Sequence, residues 1–146
     1  MQNLFIEWRK FENPTLLNGA PDYTKKGFNK RKSAFNKLQK KLNNIDTTNW
    51  SKSKQVDWQI IEAEMNGYDF NFRVLKSWIR DPAFYQTIWM YQSDVPAHEG
   101  PVNHALLEYW QYTFPLNKQA KEKFQRELAL IPALLEQAEQ NLTGNA

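Results

Sequence analysis

The stretch from Ser51 to Arg80, "SKSKQVDWQIIEAEMNGYDFNFRVLKSWIR", constrains the fold more than any other part of this chain. At about 100° per residue, Trp58, Ile61, Met65, Tyr68, Phe72, Leu75 and Ile79 form one apolar stripe. Val56, Ile60, Ala63, Gly67, Phe70, Val74 and Trp78 form a second on another side. A helix apolar on two sides is expected to be central, packed between neighbours. Glu62, Asn66, Asp69, Arg73 and Arg80 make the strip left to water, and Asp57, Glu64 and Asn71 fall in a narrow notch between the stripes. Ser51 or Ser53 is placed to cap the start. Asp81-Pro82 is placed to end this helix and begin another, with the proline at the first helical position.

The rest of the chain is punctuated helical patterning. Leu4, Phe5, Trp8 and Phe11 share a face before Asn13-Pro14, and a loop, "NPTLLNGAPDY", follows. Phe28, Phe35, Leu38, Leu42 and Ile45 recur at three-four spacing, which predicts an amphipathic helix. The run "AFYQTIWMYQ" reads as a short buried helix, and Pro101 restarts a helix through about Thr113. The last pattern spans Leu116 to Leu142, with a kink or break expected near Ile131 because Pro132 lacks an amide proton. Gly144 is placed to terminate it. No segment alternates with period two. The expected class is therefore all-α, an irregular helical bundle around a long central helix at 51–80, with about five to seven helices.

Length and composition fit one helical domain over 1–146. The 14% aromatic content excludes a disordered chain, because that much apolar surface offsets ordering entropy only when buried. No window approaches 18 uninterrupted apolar residues, so no transmembrane segment is expected. "MQNLFIEWRK" has no apolar core leading to a small-residue cleavage site, so it does not read as a signal peptide. The absence of cysteine removes disulfides, thiolate ligands and a cysteine nucleophile.

Charge is concentrated. Lys25 to Lys41 holds eight basic residues and no acidic one, although the whole chain is only +3. The lysines avoid the apolar stripe of their helix, and Arg31 is the one basic residue close to it. That pattern describes a solvated face, with an anionic membrane or polymer surface as the alternative. Nucleic acid is not an expected partner, since a focused patch with exposed aromatics or base-reading groups is missing.

Both histidines lie in "AHEGPVNH". A zinc-hydrolase helix places two histidines four apart, whereas His98 and His104 are six apart with Gly100-Pro101 between them. This spacing reads as a loop followed by a helix start, with Glu99 or the loop backbone neutralising the helix N-terminus. No Gly-x-Ser-x-Gly elbow and no glycine-rich phosphate loop is present. No catalytic or metal-binding residue is assigned. The candidate ligand or cleft residues are Asp57, Glu64 and Asn71 of the notch, Trp78 and Tyr85, and Asp94, His98 and Glu99 of the polar loop. For the notch carboxylates the competing reading is pairing with Arg9, Arg31 or Lys76 of neighbouring segments.

Two segments, "VDWQIIEAEMNGYDFNFRVLKSWIRDPAFY" and "ELALIPALLEQAEQNLTGNA", resemble the N-terminal half of the bacterial domain-of-unknown-function family 885. The first carries the Trp, basic residue and Asp-Pro-x-x-Tyr turn of that family's long helix, here Trp78, Arg80, Asp81-Pro82 and Tyr85. The second carries its Ile-Pro-x-Leu-Leu helix running into an Asn-Leu pair, here Ile131-Pro132 through Asn141-Leu142. The resemblance extends from about Trp8 to the last residue. It implies a helical zinc-metallopeptidase-like protein whose His-Glu-x-x-His helix lies in a C-terminal half absent here. By that implication the zinc belongs to the missing part, no cofactor belongs to this chain, and no position here matches the family's site. The chain is then a non-catalytic N-terminal fragment walling a peptide-substrate cleft, with the missing C-terminal domain as its partner. Export to the periplasm or as a lipoprotein, with the signal sequence removed, is a further implication. The alternative reading is a free-standing helical module that binds a peptide or small ligand in an aromatic pocket near Trp78, Tyr85, Trp89 and Trp110.

Overall fold

The computed structural model describes residues 1–92 and 106–143. Helix accounts for 69% of them, so the all-α class holds. The chain folds into two compact units, one formed by Met1–Asn13 with Lys25–Lys76 and the other by Pro14–Thr24 with Ser77–Ala146.

The first unit consists of three helices: α1 (Gln2–Glu12), α2 (Lys25–Asn43) and α3 (Lys52–Phe70). Each contributes one apolar stripe to a shared core of Leu4, Trp8, Phe35, Leu38, Leu42, Ile61, Met65 and Tyr68. Trp8 is wholly enclosed and meets Tyr68 edge-on at 6.0 Å. Removing these side chains from water supplies roughly 1.5–3 kcal/mol each, the dominant favourable contribution to this unit. Ser51 caps α3, its Oγ accepting from the Lys54 amide at 3.5 Å.

The buried polar group of this core is Arg31, 7% exposed. Its guanidinium donates to the carbonyls of Asn13 (3.1 Å) and Glu12 (3.4 Å) and lies over the rings of Phe11 (4.7 Å) and Tyr68 (5.9 Å). A cation from α2 thus satisfies the open carbonyl end of α1, where the helix dipole is negative.

The central helix differs from expectation in extent and in surroundings. After Phe70 the backbone loosens into a π-turn at Asn71–Leu75, and Lys76 then takes the left-handed conformation with φ 52°. No glycine or asparagine marks this position, so the pattern alone carries the helix on to residue 80. Of the two apolar stripes, the one through Ile61, Met65 and Tyr68 is buried. The second is exposed: Val56, Ile60 and Phe70 are each 50% exposed and Val74 40%. α1 and α2 both pack on the first stripe, and Val56, Ile60 and Phe70 of the other stay half exposed.

The second unit opens with a hairpin where the sequence suggests only a loop. Strands β1 (Leu16–Leu17) and β2 (Ala20–Pro21) pair antiparallel across Asn18-Gly19, both with positive φ (53° and 87°). Asn-Gly is the preferred pair for this tight turn. A short helical turn, α4 (Ser77–Arg80), leads to a 3-10 turn at Pro82–Tyr85, which Asp81 caps from the Ala83 amide at 2.9 Å. Helix α5 (Lys118–Leu142) closes the unit, capped by Asn117 on the Ala120 amide at 2.9 Å.

Three further expectations are corrected. "AFYQTIWMYQ" is not a helix: after Tyr85 the chain extends into β3 (Ile88–Trp89), which pairs parallel with β4 (Leu107–Glu108). A helix through Thr113 is likewise absent over 107–113, where β4 runs into a 3-10 turn at Tyr109–Gln111; its expected start at Pro101 lies outside the described residues. Ile88 and Trp89 favour extended pairing over a helix by local propensity, whereas Leu107 and Glu108 take it up through pairing with them. Those two losses leave four helices longer than one turn among the described residues, fewer than expected. Third, of the kink or break expected near Ile131 the break does not occur: α5 runs as one helix through Pro132. Pro132 and Leu128, whose carbonyl loses its helical donor, are both exposed, which lowers the cost of the missing hydrogen bond. The expected terminator Gly144 lies outside the described residues; α5 ends at Leu142 with Thr143 as its cap. No helix among the described residues is long and apolar enough to cross a membrane.

Candidate functional site

Within the first unit the notch residues do not converge. Asp57, Glu64 and Asn71 stand seven residues apart, so successive side chains are displaced about 10 Å along the axis. Each meets a different environment. Glu64 accepts from the Trp8 indole Nε1 through Oε2 and from Arg9 through Oε1, both at 2.7 Å. Arg9 also binds Glu12 at 2.7 Å. Burial pulls the Arg9 guanidinium down, but hydrogen bonds and charge from Glu12 and Glu64 outweigh it and leave its pKa raised. Of the three basic partners considered from sequence, Arg9 is the one Glu64 meets, because α1 and α3 present the two side chains to each other. With both oxygens engaged, this carboxylate acts as a clasp between helices. Arg9 and Glu64 remain 44% and 32% exposed, so the ion pair adds at most about 1 kcal/mol.

Asp57 lies exposed at the rim of a cleft of about 350 Å³, lined also by Met1, Gln2, Phe5, Ile60 and Ile61. The cleft is apolar, with Asp57 its one charged side chain and Gln2 its other polar one. Asn71 is backbone machinery: its amide closes α3 on Gly67 and Tyr68, and its carbonyl accepts from Lys76 at 2.9 Å.

The second unit gathers Trp78, Tyr85 and Asn141. The Tyr85 hydroxyl donates to the Trp78 carbonyl and accepts from Asn141 Nδ2, both at 2.7 Å. Asn141 Nδ2 also reaches the Tyr23 carbonyl at 2.7 Å. Burial pushes the Tyr85 phenol up to about 12, against the opposing pull of the Asn141 hydrogen bond. One turn earlier on α5, buried Gln137 accepts from the Tyr23 amide (2.8 Å) and donates to the Pro21 carbonyl (3.1 Å). Tyr23 packs on Phe84 at 4.8 Å and on Tyr85 at 6.1 Å. Two amide side chains four residues apart on α5 therefore hold the end of the hairpin as a strand would. Sequence reasoning missed both; their spacing on the α5 face that also buries Leu134 and Ala138 was the available signal.

Trp89 is half-buried and Trp110 is 38% exposed. A separate aromatic group, Tyr109, Tyr112, Phe114 and Phe124, sits at the start of α5, where Tyr112 donates to Glu127 at 2.6 Å. Burial, reinforced by the Glu127 carboxylate, raises the Tyr112 phenol to about 12. Asp94, His98 and Glu99 lie outside the described residues. Among the described residues no group of three or more His, Cys, Asp or Glu side chains is placed to hold a metal. In comparisons with known proteins, the chain matches no family model, no curated protein and no solved structure at a significant level.

Proposed function

We propose that this chain is a non-catalytic helical domain of a larger bacterial zinc-metallopeptidase-like protein. Built around α3, it docks on the part that carries the metal and contributes a wall of the substrate cleft. The observation that supports this reading is the exposed apolar row of Val56, Ile60 and Phe70 along one side of α3. A row of that length at helical spacing is a docking face left open, not scattered surface apolarity.

The test uses the purified chain. The folded chain is expected to bind a hydrophobic dye, and V56D/I60D to lose that signal while keeping its helical circular dichroism. Stoichiometric zinc binding with unaided peptide hydrolysis overturns the reading, as does a wild-type chain silent to the dye. The second reading, a free-standing module for a peptide or small ligand, is favoured by the apolar cleft with Asp57 at its rim. Saturable binding of a short peptide, lost in D57N with the dye signal unchanged, selects it.

A further inference from the structure

Among the described residues, the outward face of α2 carries the densest run of basic side chains. Lys26, Lys30, Lys37, Lys40 and Lys41 fall within an arc of about 100° and extend over about 22 Å of helix. Lys25 and Lys32 stand to one side of that arc. The opposite side carries Phe28, Arg31, Phe35, Leu38 and Leu42, all buried, so the core fixes the lysines toward solvent. All seven lysines are exposed, and α2 contains no acidic residue. Among the described residues, the ion pair formed by these lysines is Lys41 with Glu7 at 2.6 Å. The segregation extends to the units: the first holds fourteen basic and seven acidic residues, the second five basic and nine acidic.

We propose that this face of α2 docks the protein on an anionic lipid bilayer. The charge pattern calls for a polyanion, and three features favour a plane of headgroups over nucleic acid. The lysines occupy the front of the helix, where a DNA groove presents base edges and its phosphates lie to either side. The exposed cations are all lysines, compact charges on flexible stems, whereas the helix's one arginine, the residue type that reads guanine by a bidentate fork, is buried. Both aromatic residues of α2, Phe28 and Phe35, are in the core, so no ring is available for base stacking. A bilayer asks only for several unpaired ammonium groups on one side, each strengthening attachment about fivefold near an anionic surface.

The test is co-sedimentation of the full chain with vesicles at low ionic strength. Vesicles of phosphatidylcholine and phosphatidylglycerol in equal parts are expected to retain it, pure phosphatidylcholine is not, and several hundred millimolar salt is expected to release it. K26Q/K30Q/K37Q/K40Q is expected to weaken retention by about two orders of magnitude or more, and K118Q/K121Q on α5 to leave it unchanged. Where the quadruple variant loses its helical signal, K30Q/K37Q serves instead, with a loss of about 25-fold. Failure of the wild-type chain to bind the anionic vesicles overturns the proposal, as does equal binding to both vesicle types or equal retention of the lysine variants. Tighter retention by duplex DNA at the same ionic strength overturns it in favour of nucleic acid.

Discussion

Replacing Arg31 by methionine isolates the contact that ties α2 to the end of α1. The side chain is 7% exposed, and its guanidinium satisfies the Glu12 and Asn13 carbonyls while covering the Phe11 and Tyr68 rings. Methionine keeps most of the apolar stem and removes every donor. A hydrogen bond from a charged donor is worth about 1.5–3 kcal/mol, and the longer of these two contributes less. The cation–ring contacts add about 0.5–2 kcal/mol. Against that stands the desolvation cost of a buried cation, which the substitution relieves. The net expected loss is about 2–3 kcal/mol, most of it from helix-terminal carbonyls left without a donor. Arg31→Lys keeps the charge without the fork and should fall between the two. Urea unfolding followed by far-ultraviolet circular dichroism measures this directly. A loss of that size lowers the midpoint by about 1–2 M at an unchanged slope. Amide exchange should place the destabilisation in Met1–Asn13 and Lys25–Lys76. An R31M chain within about 0.5 kcal/mol of wild type would refute the reasoning, and so would lysine performing as well as arginine.

Gln137→Ala leaves the Tyr23 amide and the Pro21 carbonyl, both in buried residues, without the side chain that binds them. The two groups keep their own 3.2 Å hydrogen bond to each other, so the expected cost is about 1–2 kcal/mol by urea unfolding, with enhanced exchange in the hairpin; an unchanged midpoint contradicts this role. Tyr85 and Tyr112 are both raised to about 12 from 10.0, so the folded state holds these protons more tightly than the unfolded chain. The stability they carry is present below about pH 10 and is lost as pH rises toward about 12. Burial also raises the Tyr68 phenol, so ultraviolet titration should show three late phenols, one of them missing in Tyr85→Phe, and ionisation of all tyrosines near pH 10 contradicts the burial argument.

Much of the architecture is legible along the chain because it is local. Ser51 and Asp81 cap what their positions suggest, and the Trp58-to-Phe72 stripe packs against the core through three-four spacing alone. Arg31, the one basic residue of α2 near the apolar stripe, is the one buried. The Asn-Gly hairpin was equally local, but the signal is short and sits in a run without alternation. The candidate site was less legible. Seven-residue spacing aligned Asp57, Glu64 and Asn71 on one line of α3, yet spacing cannot say what stands opposite each of them.

Sequence alone determined that the four long stretches are helical, which of their faces are apolar, and that Lys25 to Lys41 presents a basic surface. These follow from covalent geometry and the 3.6-residue repeat. Tertiary structure decided which of the two stripes of α3 is covered, which of three cations meets Glu64, and how Gln137 and Asn141 hold Pro21 and Tyr23 from more than a hundred residues away. It also turned the backbone at Lys76 and carried α5 through Pro132. Such outcomes depend on contacts between segments distant in sequence. A periodic pattern states what each helix must bury, and only the assembled partners state against what.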